Sequence, residues 1–336
     1  MHEDDIIIRK GIVHILDGEL GYPVYSEQEL SLTPVINDFF RGHISRLLSG
    51  DDLKRCSFTE EESPIYEIVK EFNEENLVAS SKQMAGLLYE IMNKNVAIPS
   101  GDFAVITFQA KGTKYLALLK LNYKESFVHM TNTSEVGNVN EIICYQSTLP
   151  MTGAKLSEAV IINLSDYSVQ IVEKKYEVNG TKVNYLSELY LKCHTAMSSK
   201  SKLSIVTKAV EQVNKKHFAE EPVKQMEAKR IIKKEIEDNG ALNVETLSGK
   251  IYGDVPEIKE EFDAKMEKYH MEKAEVKPQS EATTKKFQKQ YLKTDTGIEI
   301  NIPMEQYQDI DQVEFITNAD GTISVLIKNI NRITTR

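Results

Sequence analysis

Nine basic residues are the part of this sequence best suited to chemistry. Lys200, Lys202, Lys208, Lys215 and Lys216 form one group, and Lys229, Arg230, Lys233 and Lys234 form a second. Helical spacing puts Lys208 and Lys215 on one face and spreads the second group along another broad face. Phosphate contact needs only positive charge and reach, so two such faces could neutralise several phosphates of a nucleic acid. The plainer alternative is that these side chains solvate exposed helix faces, with Glu211 and Glu227 as partial partners. Lys285, Lys286, Lys289 and Lys293 make a third, weaker patch.

Other chemistry finds little footing. His14 lies in an apolar run, and His43 on an expected helix near Arg41 and Arg46. There is no HExxH, no Cys/His cluster and no pair of histidines at i and i+4, so structural roles are expected and no metal site. GxSxG, GxxxxGK[ST] and GxGxxG are all missing, so neither an enzyme nor a cofactor is expected. Glu60-Glu61-Glu62 and Glu74-Glu75 read as solvated helix ends. Asp320-Gly321 reads as a turn, not a calcium loop. Cys56, Cys144 and Cys193 lie far apart, and an odd, sparse set predicts reduced cytosolic thiols buried as small hydrophobes.

The 336 residues suffice for two or three domains, and 41% hydrophobic with 27% charged residues describes a globular chain. No run approaches the roughly 18 apolar residues of a membrane span. The acidic start argues against a signal peptide. The net charge of -10 is uneven. Residues 1–80 hold 17 acids against 7 bases, residues 182–234 hold 12 bases against 5 acids, and residues 235–276 hold 12 acids against 5 bases. An acidic head and a basic belt permit an anionic partner on one face despite the acidic total.

The elements that must position these groups follow from periodicity. Phe103–Phe108, Tyr115–Leu121 and Phe127–Met130 are three β-rich runs, with Lys111-Gly112 as a hairpin turn between the first two. They are expected to form the floor of an N-terminal core. Leu116–Leu119 is continuously apolar and suits a central strand covered on both faces. Thr33-Pro34 and Ser63-Pro64 are helix starts, with Ser or Thr as cap and Pro at the first helical position. From Asn184 the period changes to that of helices, broken at Gly240, Gly249, Gly253 and Pro256. Ala274–Thr284 is polar and without apolar period, and reads as a linker. Beyond it, alternation returns in a small sheet of about four strands. The fold class expected is α+β: a mixed sheet-and-helix N-terminal domain (1–180), a basic helical domain (181–273), a linker (274–284) and a small antiparallel β domain (285–336).

With these residues in view, the chain resembles the 37-kilodalton nucleoid-associated protein family of bacteria. The resemblance rests on the opening strand ending at His14, on His43, and on Ser80-Ser81-Lys82-Gln83-Met84-Ala85. It continues through Gly101-Asp102-Phe103, Tyr115–Lys120, Asn184-Tyr185-Leu186, Lys200-Ser201-Lys202 and Gly297–Asn301. It implies a cytoplasmic, nucleoid-located protein that binds DNA, with no established enzymatic activity and no agreed binding residues. The leading expectation is non-specific binding of double-stranded DNA by the basic helices. The alternative is a scaffold brought to the nucleoid by a protein partner, whose contact would be the acidic N-terminal region. A third expectation, an enzyme acting on nucleic acid, would need a cleft gathering His14, His43 and carboxylates. A homodimer is compatible with the sequence.

Overall fold

The computed structural model describes residues 3–135, 137–178, 180–219, 221–307 and 309–334. The chain divides into two compact units, Met1–Ser198 and Ser199–Arg336. In the first, β1 (Ile6–Leu16), α1 (Pro34–Leu48), β2 (Lys54–Phe58), α2 (Pro64–Lys70) and α3 (Leu77–Asn93) come in that order. They are followed by β3 (Gly101–Ala110), β4 (Thr113–Asn122), β5 (Lys124–Ser134), β6 (Gly137–Thr148), β7 (Ala159–Asn163) and β8 (Val169–Val172). The unit closes with β9 (Tyr176–Val178), β10 (Thr181–Val183), a π-helical turn at Leu186–Leu191, and β11 (Cys193–Thr195).

Seven strands form one antiparallel sheet in the order β1-β3-β4-β7-β8-β2-β11. Its central strands are buried on both faces, which is why their sequences run apolar without alternation. Val105, Leu116, Leu118, Val160 and Ile162 pack with α2 and α3 through Ile65, Val69, Met84 and Leu88. Ala104, Ile106, Ala117, Leu119 and Ile161 pack on the other side with Phe40, Ile44 and Leu47 of α1. β1 serves both layers. A register shift between Ile8 and Lys10 changes which side chains face which way. Ile6 and Ile8 therefore join the α1 layer, and Ile12 and Leu16 the α3 layer.

Local signals hold where the sequence states them. Thr33 Oγ1 accepts from the Ile36 amide at 3.4 Å, and Ser63 Oγ from the Tyr66 amide at 3.1 Å, so each Pro follows a side-chain cap. Lys111 (φ 48°) and Gly112 (φ 83°) both take left-handed backbone in the two-residue turn from β3 to β4.

Three expectations are corrected. The run Phe127–Met130 is not part of the sheet floor. It belongs to β5, which pairs with β6 in a separate two-stranded ribbon inserted between neighbours β4 and β7. The cysteines are not all free. Cys56 and Cys193 form a disulfide, because β11 pairs with β2 and brings their Cα atoms to 6.0 Å. The 137 residues between them hide that neighbourhood from the sequence. Cys144 is a free thiol, but it is exposed on β6 and not buried.

A charged network closes the root of the ribbon. Lys120 and Glu158 are both buried, with Lys120 Nζ 3.8 Å from Glu158 Oε2. Lys120 Nζ also donates to the Pro99 carbonyl at 2.6 Å and to Asn122 Oδ1. Glu158 accepts from Asn122 Nδ2, Tyr176 Oη at 3.0 Å and Tyr185 Oη. Burial pulls the Lys120 ammonium down to about 8, against the raising effect of Glu158.

In the second unit, α4 (Ser199–His217), α5 (Pro222–Asn239), β12 (Leu242–Asn243), α6 (Val244–Tyr252), α7 (Pro256–Glu267) and β13 (Glu275–Val276) enclose one core. Leu203, Val206, Val213, Ile232, Leu247, Phe262 and Met266 fill it. After α8 (Glu281–Thr284) come β14 (Lys289–Lys293), β15 (Glu299–Pro303), α9 (Met304–Tyr307), β16 (Val313–Thr317) and β17 (Ile323–Ile327). These last four strands pair as two separate hairpins. The two units meet at Ser198. Tyr185, Leu186 and Tyr190, beyond residue 180, lie in the first unit's core. Within 274–284, Val276 is buried and pairs with Leu242. Gln290 Nε2 donates to the Met226 carbonyl at 3.3 Å.

Phe40 is 2% exposed, whereas Phe39 beside it is only half-buried. Phe40→Ala should cost roughly 3–5 kcal/mol. Phe39→Ala should cost clearly less. Urea unfolding of the two variants checks the order. Equal midpoints would mean that α1 does not cover the sheet through Phe40.

Candidate nucleic-acid interface

The buried stripe of α4 fixes where its basic residues point. Leu203, Val206, Val210 and Val213 recur at helical spacing and face the core. Ser201, Ser204, Lys208 and Gln212 then line up along one flank. α7 turns Phe262 and Met266 inward, which sends Lys265, Lys268 and Tyr269 to the facing flank. The two flanks border a groove of 430 Å³. Lys265 Nζ donates to Gln212 Oε1 at 3.2 Å across it. Three ammonium groups, hydroxyls, an amide and an exposed phenol ring thus share one hollow. That set matches an anion carried on an organic scaffold.

The other expected site residues are placed differently. Lys200 and Lys202 lie in the first turn of α4, where the helix dipole adds positive charge. Lys215, Lys216 and His217 occupy the last turn. Lys216 Nζ and His217 Nε2 meet Glu261 Oε2 at 2.7 and 2.8 Å, and these two bonds hold the Glu261 carboxyl down at about 2. Lys215 is exposed and is not among the groove residues. On α5, Lys229 Nζ donates to the Lys289 carbonyl at 2.8 Å and stands over the Tyr291 ring. Burial lowers its pKa, Glu211 opposes this and Lys286 adds to it. Arg230 forks onto Glu227. Lys233 is 11% exposed and reaches Glu237 at 3.5 Å. Lys234 is exposed.

Lys208 is therefore the one expected residue that the fold joins to further lysines in this groove. Lys265 and Lys268 escaped the sequence reading because they sit in a stretch of net negative charge; Tyr269 reads there as part of the apolar stripe of Phe262 and Met266, but it is 48% exposed. The i, i+3 spacing of the two lysines beside that stripe was the available signal.

The two buried histidines do not share a cleft. His14 faces α3, and His43 of α1 packs on the opposite side of the sheet. The Ser26 amide donates to His14 Nδ1 at 3.1 Å, so Nε2 carries the proton and donates to Ser81 Oγ at 2.9 Å. Ser81 Oγ in turn donates to the Val78 carbonyl at 3.0 Å. His43 Nδ1 donates to the Ala154 carbonyl at 3.0 Å, and its ring meets Phe39 edge-on. Burial lowers the pKa of both, His14 to about 4.

The sequence profile of the nucleoid-associated protein YejK matches residues 12–334. The chain belongs to that family. No curated protein matches it. Membership associates the chain with the nucleoid and with DNA, in a family not known for enzymes. Among the described residues, no helix is long and apolar enough to cross a membrane. Two of the residues that carry the family resemblance, His14 and Ser81, are hydrogen-bonded to each other.

Two outcomes are expected. Neutral His14 is favoured in the fold, and the unfolded chain takes up a proton near pH 6.5. Its contribution, up to roughly 3 kcal/mol, is present above that pH and lost as pH falls toward about 4. An NMR titration should put the His14 midpoint near 4; a midpoint near 6.5 refutes the buried neutral ring. Separately, Glu261→Gln releases Lys216 and His217. If Lys216 can then reach phosphate, the salt dependence of duplex binding should steepen by about 0.9 in log-log slope.

Proposed function

We propose that the protein binds duplex DNA, largely without sequence preference, by phosphate contacts in the groove between α4 and α7. The observation that carries this reading is the convergence of Lys208, Lys265 and Lys268 on one hollow, in a chain of a nucleoid-associated family. The hollow suits a phosphate and its sugar, not the width of a double helix. Lysine, serine and glutamine contacts of this kind position a backbone and carry no base code. Lys200 and Lys202 extend the positive field at the start of α4, and Lys215 extends it at the end. The acidic total keeps the interface local and the affinity salt-sensitive.

One group of observations favours the scaffold reading instead. Lys216, Arg230 and Lys233 already meet carboxylates of their own unit, and the first 80 residues are strongly acidic. An acidic surface repels DNA and suits a basic protein.

A salt series on the full chain with unrelated duplexes separates the two. Lys208, Lys265 and Lys268 changed together to Gln keep helix propensity and remove three charges. The log-log slope should become shallower by about 2.7, equally for every sequence. Changing Lys229, Arg230 and Lys233 to Gln should move it less. Unchanged affinity and slope in a folded groove variant would transfer the proposal to the scaffold.

A further inference from the structure

The third basic patch of the sequence finds company in the fold. Lys286 belongs to the 3₁₀ turn Lys285–Phe287 that follows α8, and its ammonium stands 4.9 Å from the centre of the Phe287 ring. Burial lowers its pKa, Glu211 of α4 opposes this, and Lys200 adds to it. Lys229 of α5 feels the same Glu211 and also Lys286. Its ammonium is fixed by the Lys289 carbonyl, over the exposed ring of Tyr291. Three stretches of sequence thus gather Lys200, Lys229 and Lys286 around one carboxylate. Three positive charges meet one negative, and the mutual repulsion of the surplus is what an anion relieves.

The place of this cluster beside the groove says which anion it meets. At 3.6 residues per turn, Lys200 and Glu211 lie within about 20° of each other around α4. Lys208 lies roughly 60–80° further round, on the flank that borders α7. One basic rim therefore follows α7, the other follows α5 and the turn after α8, and α4 stands between them. An α-helix with its side chains is about 10–12 Å across. The major groove of duplex DNA is about 12 Å wide, admits such a helix, and has a phosphate strand along either edge. A gap of one helix is too narrow to keep two duplexes apart, so both rims serve the same one.

We infer that α4 lies along the major groove of the duplex, with Lys208, Lys265 and Lys268 on the phosphates of one strand and Lys200, Lys229 and Lys286 on those of the other. This rests on the reading of the α4–α7 groove as a phosphate site. Lys200→Gln with Lys286→Gln changes two exposed residues and keeps helix propensity. In a salt series on the full chain, the log-log slope should become shallower by about 1.8, in addition to the change made by the groove variant. Methyl green, a dication that occupies the major groove, should displace the protein from duplex. Netropsin, a dication of the minor groove, should not. An unchanged slope in the folded rim variant, while the groove variant still lowers it, overturns this inference and leaves the groove reading standing. Displacement by netropsin does the same. If the rim variant fails to fold, the competition on the unaltered chain decides. If no duplex is bound, or neither variant moves the slope, the groove reading falls and this inference falls with it.

Discussion

Lys120 and Glu158 carry opposite charges inside the first unit, and neither reaches water. Left alone, either charge would cost several kcal/mol to bury. They are tolerable because the fold delivers Asn122, Pro99, Tyr176 and Tyr185 to the same place. Strand β4, the return from the ribbon, β9 and the start of the π-helical turn must therefore assemble together. This ties residues beyond 180 to the N-terminal sheet, although their sequence period already looks helical. It also gives the ribbon a rigid base. The chain leaves the sheet just after Asn122 and re-enters near Glu158, so both ends of the insertion meet one polar knot.

Much of the first unit was legible because its signals are local. A cap followed by proline starts a helix, and Lys111-Gly112 can take the left-handed pair that a tight hairpin needs. Continuous apolar strands announced a sheet buried on both faces. What failed depended on pairing between distant segments. Phe127–Met130 has the composition of a core strand, and only its partner, the equally apolar β6, removes it from the sheet. The bulge near Arg9 changes which core β1 serves without leaving a mark in the composition. Cys56 and Cys193 become neighbours only once β11 closes on β2.

The charge pattern misled in a similar way. Summing over windows of sequence found the basic belt and marked the next stretch as acidic. A groove is built from flanks of helices, however, and a flank can be basic while its helix is not. α7 carries Glu260, Glu261 and Asp263, yet Lys265 borders the same hollow as Lys208. Conversely, Arg230 and Lys233 look available in sequence and are occupied by carboxylates three or four residues away on the same helix. Neighbours one helical turn apart decide such pairings, and those are readable before any fold is known.

The Cys56–Cys193 bond has a mechanical consequence. Cys193 lies just ahead of the boundary at Ser198, on an edge strand of three residues. Suppose the second unit is held on a polymer while the first is held elsewhere. Tension then enters the first unit through that strand. A short edge strand pulled from its end unzips one hydrogen bond at a time and yields at low force. The covalent bridge passes the load across to β2, where the antiparallel ladder with β8 takes it up. Oxidised, the joint behaves as a fixed-length tether. Reduced, it pays out the residues around the π-helical turn before the sheet itself is loaded, so the thiol state sets how much slack the chain gives under tension.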